Sequence, residues 1–584
     1  MKNIKKGTYN LITSVLAGVI FVGFFLFFAI KYEGHFAFWE GNNYWEFTPE
    51  YFLKSLQPAG LTLYIAAFLQ MFYRWHYVGC VLLLLMPALV YLSNRSIFRT
   101  LQISDEFSPL ILLPYVALSL LLSDKLCFLS IGVCVAFFYF AMAVYMRSVK
   151  GQGVGRAVFV SLLLYPFLFF FLPSGVVLCF YLVLCATDFL LLKGVKHSVL
   201  LAKNVLTIVL AVLMPILWSF LVNNQLPTTA CLLDMALNTK ISWSKIIFFY
   251  LFPFCILIAC VFLQRKTIKT IKWLCFISSL LLLLPVVYSY SVYKKELGWE
   301  RFFQIESACS ESNWEKLLQI TEYQKQKIDN LFPFTIVALA AQGQLPEKMF
   351  EYPLTAQGAF LPPSDLKNIN IQANVAFYQQ CGMLNMAIAY AFQNSSIRTN
   401  EYDILTLKQL ARLNALAGAD DVSEKYLNKL HKTLFYNDFI ESCKQMKKES
   451  VEQDVCDSVL FFGSGVKHVE LISLLGRKYN PVAADLLLCM LLKMRDCNNF
   501  VKYFFAYYPY RNCEVLPKAY EEFLVMAPFA NIALPATDFK ISAATQHRFE
   551  QFYAIYTANT DNRIKKVQLK PFADTWFYYA VYGK

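Results

Sequence analysis

The chain has 584 residues, 57% of them hydrophobic, and a formal net charge of +13, a length that exceeds what one core usually serves. The charge is unevenly placed: residues 1–293 hold 21 Lys/Arg against 9 Asp/Glu, and residues 294–584 hold 32 against 31. A basic excess confined to the apolar half argues against a nucleic-acid partner and fits loop cations between membrane spans.

Lys2, Lys5 and Lys6 precede an apolar run over 9–31. That run exceeds the roughly 7–15 residues of a signal-peptide core, and no small-x-small cleavage site follows, so it reads as a retained signal-anchor. Next comes "HFAFWEGNNYWEFTPEYF" (35–52), which sets Glu40, Glu46 and Glu50 among Trp39, Tyr44, Trp45, Tyr51 and four phenylalanines. Further spans are expected at 77–93, 109–122, 126–146, 157–172, 175–192, 199–221, 246–263 and 273–292, several of them short for a bilayer core of about 30 Å. Pairs such as 157–192, broken only by "PSG", read as helical hairpins.

The run "GLTLYIAAFLQMFY" (60–73) decides between nine and ten spans, and loop charge arbitrates. Nine spans put 15 of the 21 cations of the first half, Lys203 among them, on the cytoplasmic side; ten spans leave only seven there. The normal bias selects nine spans, a cytoplasmic N-terminus and an exported C-terminal half. The outer loop is then 32–57, and 53–73 is an interfacial or re-entrant helix.

After "KKELGWERFF" a soluble helical pattern takes over, so the expected fold is all-α, a polytopic membrane bundle over 1–293 followed by an exported helical domain over 294–584. Three stretches, 338–352, 377–392 and 413–427, share a helix, a glycine, a polar turn and a second helix; Gly343, Gly382 and Gly418 lie 39 and 36 residues apart. Glycine at such a turn lets the first helix end in a left-handed conformation. The spacing suits stacked helix-turn-helix units. The middle unit resembles a tetratricopeptide repeat, with Ala376, Tyr378, Gly382, Ala387 and Ala391 at the positions that family packs with small and aromatic residues. A degenerate pair follows at 484–505, and "FADTWFYYAVYG" reads as a closing apolar helix. The array serves either as a self-packing spacer or as a surface for a protein partner. Seven cysteines without a C-x-x-C pair argue against a disulfide framework or a thiolate metal site.

No phosphate loop, H-E-x-x-H or G-x-S-x-G is present, and the six histidines are scattered. The chemistry-bearing candidates are Glu33, Glu40 and Glu46 in the outer loop, with Arg74 and His76 in the following "RWHY". A carboxylate at that depth can deprotonate an acceptor hydroxyl or position a metal, while Arg74 and His76 can neutralise a lipid phosphate. The same tryptophans and tyrosines also fit an ordinary interfacial belt with the glutamates solvated at its wet edge. Asp188 is the one acid inside a span, where acids are costly and often functional; Lys193, about a turn and a half on, is its expected partner.

One span, a long outer loop with carboxylates and a juxtamembrane helix, followed by an exported C-terminal domain, resembles the GT-C glycosyltransferases. That resemblance implies a polyprenyl-phosphate-linked sugar as donor and leaves room for a divalent metal, although those enzymes commonly use an Asp or an acidic pair where this loop has isolated glutamates. The stretches "PAGLTLYIAAFLQMFYRWHYVG", "QGQLPEKMFEYP", "GMLNMAIAYAFQ" and "KYLNKLHKTLFY" are similar to an uncharacterised family of bacterial polytopic membrane proteins, which implies architecture and no activity. Tyr64 and Gln70 lie in the most distinctive of them. Two functions follow: a GT-C-like transferase at the outer face, or a membrane-anchored scaffold whose repeats recruit a partner in envelope assembly. A transporter is disfavoured by the few intramembrane polar residues.

Overall fold

The computed structural model describes residues 8–124, 128–192, 195–221, 250–263, 298–322, 331–352, 371–397, 403–445, 467–476, 479–508, 515–535, 539–558 and 561–583. Among them every regular element is helical. The chain divides into two units, Met1–Glu300 with Lys432–Leu434, and Arg301–His431 with Phe435–Lys584.

In the first unit α1 (Thr8–Lys31) is followed by three short helices, α2 (Glu33–Gly41), α3 (Pro49–Lys54) and α4 (Gly60–Met71). The long apolar helices α5 (His76–Thr100), α6 (Leu112–Leu122, entered through the 3-10 turn Asp105–Ile111), α7 (Leu129–Val149), α8 (Val154–Phe171), α9 (Ser174–Leu191) and α10 (His197–Leu221) come next, then α11 (Phe252–Leu263). Seven helices among the described residues are long and apolar enough to cross a membrane. The expected span at 273–292 lies outside the described residues.

α7 is the centre of this bundle: 83% of its apolar window is buried, against 17% for α1, whose Leu11, Val15, Val19, Val22, Leu26 and Ile30 point outward. α5 is longer than the expected 77–93. Ser93 and Asn94 continue the helix because they are buried, and Asn94 Nδ2 donates to the Ile111 carbonyl at 3.1 Å. Lys203 also differs from the reading above: it is no loop cation but a buried residue of α10.

Polar contacts define two ends of the bundle. At one, Asn10 Nδ2 donates to Asp105 Oδ1 (2.7 Å) and Thr13 meets Ser108 (2.9 Å). At the other, Tyr32 donates to the Ser123 carbonyl, and His76 Nε2 to the Ala29 carbonyl at 2.7 Å. α5 therefore starts where α1 ends, and residues 30–75 leave and return at the same end.

The second unit is built of helix pairs. Helix α12 (298–310) precedes α13 (Trp314–Glu322); α14 (Phe332–Ala341) precedes α15 (Leu345–Lys348); α16 (Ile371–Gln380) and α17 (Leu384–Ile397), α18 (Ile404–Leu416) and α19 (Asp420–His431) are hairpins. Gly343, Gly382 and Gly418 have φ of 67°, 76° and 75°, so each first helix ends as the glycines predict. The next residue's N–H then reaches five residues back: Gln344 to Leu339, Met383 to Tyr378 and Ala419 to Asn414, at 2.8–2.9 Å. Two further turns inside helix pairs have this form without glycine: Ser312 (φ 57°), with Asn313 bonded to Ala308, and Arg495 (φ 58°), with Asp496 bonded to Leu491; Asn531 (φ 54°), with Ile532 bonded to Ala527, has it outside a pair. The five left-handed positions inside pairs are separated by 31, 39, 36 and 77 residues, the last about twice the others.

Beyond α20 (Asn437–Gln445) and α21 (Lys467–Leu475), the Arg495 turn joins α22 (Pro481–Met494) to α23 (Cys497–Tyr507). The chain closes with α24 (Lys518–Met526), α25 (Ala543–Ala558), α26 (Asn562–Gln568) and α27 (Trp576–Tyr582) around Phe549, Phe552, Leu569, Phe572 and Phe577. The expected apolar closing helix is α27, whose Trp576 is buried with its indole N–H on the Leu492 carbonyl (3.3 Å).

Candidate functional site

Segment 32–75 forms a platform on one end of the membrane bundle. α4 has 12 residues, about 18 Å at 1.5 Å per residue, which is short of the roughly 30 Å of a bilayer core. Its entry is tight: Ala59 is left-handed (φ 61°), and a Cβ on Gly60 would overlap the Ser55 carbonyl oxygen, so only glycine fits. Two anchors hold α4 to α8. The Ala59 N–H donates to the Phe169 carbonyl (3.2 Å) and the Thr62 hydroxyl to that of Phe171; these are last-turn carbonyls that the helix itself leaves without partners. Asn43 Nδ2 adds a bond to the Ala67 carbonyl at 2.7 Å.

α2 is held from its N-terminus. Tyr32 at the cap supplies no side-chain bond; instead Glu300, which is buried, accepts from the Gly34 N–H (2.6 Å) and the His35 N–H (3.2 Å). A carboxylate there meets the positive end of the helix dipole.

Of the three loop acids, Glu46 has the developed surroundings. Its Oε2 accepts from the Tyr44 hydroxyl (2.5 Å) and its Oε1 from the Thr48 hydroxyl (2.7 Å), and Tyr51 donates to the Tyr44 carbonyl (3.0 Å). Burial, and after it the negative charge of Glu46 and the neighbouring Tyr64, push the Tyr51 hydroxyl up to about 12. Tyr64 ties this group to α4: its ring lies 5.6 Å from Trp45, 5.9 Å from Tyr51 and 5.5 Å from Phe52. Trp45 is buried and continues the stack to Phe68 at 5.0 Å. The Tyr44 and Thr48 hydroxyls thus both donate to the Glu46 carboxyl group, one to each oxygen.

The other candidates are placed differently. Glu33 is an exposed residue in the first turn of α2, and Glu40 is half-buried near that helix's end. Arg74 is exposed at the end of the 3-10 turn Phe72–Arg74. His76 is engaged with the Ala29 carbonyl through Nε2 and packed edge-on to Phe36 (5.4 Å), and its Nδ1 is buried. Gln70 is buried on α4. The structure thus brings Glu46 and Tyr64 into one aromatic group, Glu46 through its bonds from Tyr44 and Thr48 and Tyr64 through its rings against Trp45 and Tyr51.

Asp188 lies apart, in a closed triad near the opposite end of the bundle. It is paired with Lys203; Lys193, the expected partner, lies outside the described residues. Tyr145 donates to Asp188 Oδ1 (2.8 Å) and Lys203 Nζ reaches the Tyr145 oxygen (3.1 Å). All three are buried, from α7, α9 and α10. Asn204 and Thr207 share the buried side of α10 while Val205 and Leu206 are exposed; that polar spacing of 203, 204 and 207 inside an apolar run was the available sign that Lys203 points into the bundle.

Among the described residues no group of three or more His, Cys, Asp or Glu side chains converges as a metal site, and no disulfide occurs. A model of one family of unknown function matches residues 8–583. No curated protein and no solved structure matches the chain.

Proposed function

The chain belongs to the family of unknown function DUF6057, and we propose that it is a bacterial inner-membrane transferase acting on a polyprenyl-phosphate-linked sugar at the outer face. The observation that carries this reading is Glu46, a carboxylate held by two hydroxyls beside Tyr51, Tyr64 and Trp45 on a platform that never leaves one end of the bundle. Glu46 takes the proton of an acceptor hydroxyl, the aromatic faces stack a sugar ring, and the exposed Arg74 guanidinium meets the lipid phosphate. Glu33 and Glu40 line the approach, with His76 positioning α5 against α1. Loop charge supports a cytoplasmic N-terminus and an exported second unit: Arg99, Arg147, Lys150 and Arg156 are exposed at the end opposite the platform.

The test is Glu46→Gln in full-length protein, assayed for transfer of radiolabelled sugar from polyprenyl phosphate into envelope glycans. A loss of about 10²–10⁴-fold is expected for a missing general base, with Glu33→Gln and Glu40→Gln milder. Full activity in a folded Glu46→Gln protein removes the reading.

A second reading rests on the repeated left-handed turns at Ser312, Gly343, Gly382, Gly418 and Arg495: a tetratricopeptide-like array that recruits a protein partner, the membrane unit being its anchor. Loss of envelope phenotype on charge reversal across the helix pairs, with Glu46→Gln silent, favours it over the transferase.

A further inference from the structure

The last two turns of the second unit carry a surface that the proposed transfer does not use. Residues 561–570 ("DNRIKKVQLK") hold Arg563, Lys565, Lys566 and Lys570 against the single acid Asp561. Asp561 caps α26 by accepting the Arg563 N–H (2.8 Å), which leaves the cations without an acid in their own helix. The same helix turns apolar groups outward: Val567 is 73% exposed and Ile564 47%. The patch continues onto α25. Lys565 Nζ sits 4.4 Å from the Tyr556 ring centre; one turn back is Tyr553, whose ring stacks on Phe529 at 4.9 Å, both exposed. Exposed apolar side chains grouped in one patch mark an interaction surface, and the interleaved lysines and arginines repel a cationic face and attract an anionic one.

We propose that this surface binds anionic phospholipid headgroups, with Val567, Ile564 and Phe529 entering the headgroup layer and Arg563, Lys566 and Lys570 pairing with lipid phosphates. Charge complementarity chooses the occupant: mixed basic and apolar side chains on a short helix match an anionic interface, which satisfies both at once. An acidic protein segment satisfies only the cations.

The experiment keeps the chain whole. Full-length protein in phosphatidylcholine nanodiscs is mixed with vesicles of phosphatidylcholine alone or roughly 7:3 phosphatidylcholine to phosphatidylglycerol, and co-flotation and hydrogen exchange over 561–570 are followed. Flotation with the anionic vesicles only, slowed exchange of that peptide, and a loss of about fivefold or more in the Arg563→Glu/Lys566→Glu double variant and in about 0.5 M NaCl are expected. Val567→Asn, at an exposed position, weakens binding without touching the charge. Absence of flotation, equal flotation with neutral vesicles, or flotation undiminished in the double variant overturns the proposal. Protection by polyglutamate without protection by anionic vesicles assigns the surface to an acidic protein and likewise overturns it. None of these readouts depends on Glu46, so their failure leaves the transferase reading standing.

Discussion

Lys203 on α10 and Asp188 on α9 form an ion pair closed on its third side by Tyr145 of α7. At 1.5 Å per residue from the helix ends, the triad lies roughly 5–9 Å inside the bundle. Each polar atom in it bonds to another of the three residues, which ties the three helices together.

Removing one charge should therefore cost more than removing both. Lys203→Met leaves a buried, uncompensated carboxylate and should destabilise by about 3–5 kcal/mol, whereas Asp188→Leu/Lys203→Met should recover most of that loss. Thermal unfolding of the detergent-solubilised protein, followed by size-exclusion chromatography, measures both. A double variant as unstable as the single one would show that the charges act separately.

Glu300 should govern the order of α2. Glu300→Ala strips the Gly34 and His35 N–H groups of their acceptor, at a cost of about 1–3 kcal/mol. Amide exchange at these two positions should accelerate by at least about tenfold, while exchange in α7 stays unchanged.

The left-handed turns predict opposite signs at equivalent places. Gly382→Ala should destabilise by about 1 kcal/mol through backbone strain alone, since an added Cβ there meets only Asn480 Nδ2, at 3.7 Å. Ser312→Gly should stabilise by less than that, because it relieves the same strain but removes the hydroxyl that accepts from Arg412 Nη1 at 3.5 Å. Arg495→Gly should not follow Ser312, because the Arg495 guanidinium also donates to the Tyr579 carbonyl at 3.0 Å. Chemical denaturation of the three variants separates these effects.

The C-terminal helices should respond to pH in two windows. Burial pushes Glu522 from 4.5 up to about 8, against the opposing Trp576 N–H and Lys518. The folded chain then holds a proton that the unfolded chain releases, so stability is full below about pH 4.5 and falls, by about 1 kcal/mol per pH unit, as pH rises towards 8. For Asp574 burial alone would raise the value, but the hydrogen bond and charge of Lys518, then Arg548, hold it below 3.8. Its contribution is present above that value and is lost on further acidification. Glu522→Gln should flatten the neutral decline and leave the acid loss; an unchanged neutral slope would refute the assignment.

Much of this architecture is legible from local pattern. A run of twenty apolar residues has few alternatives to a membrane helix, and Gly343, Gly382 and Gly418 announce their turns because glycine is the residue that adopts positive φ at least cost. Ser312 and Arg495 adopt the same conformation without that mark, so two turns of the array are invisible in composition. The candidate site divides the same way. That acids and aromatics crowd together between 33 and 52 is plain in the letters; that Tyr64 of α4 packs against Trp45 and Tyr51 beside Glu46 depends on how α4 lies against α8.

Composition and periodicity settle what is helical, what is apolar enough for a bilayer, and which half bears the charge, because these follow from properties of neighbouring residues. Partnership between distant residues is another matter. Asp188 has Lys193 nearby in the chain and takes Lys203; α2 is capped by Glu300, more than 260 residues away; His76 finds Ala29. Burial makes each of these choices, since a charge or N–H removed from water must be met by whichever group packing brings within about 3 Å, and packing is decided by the whole fold.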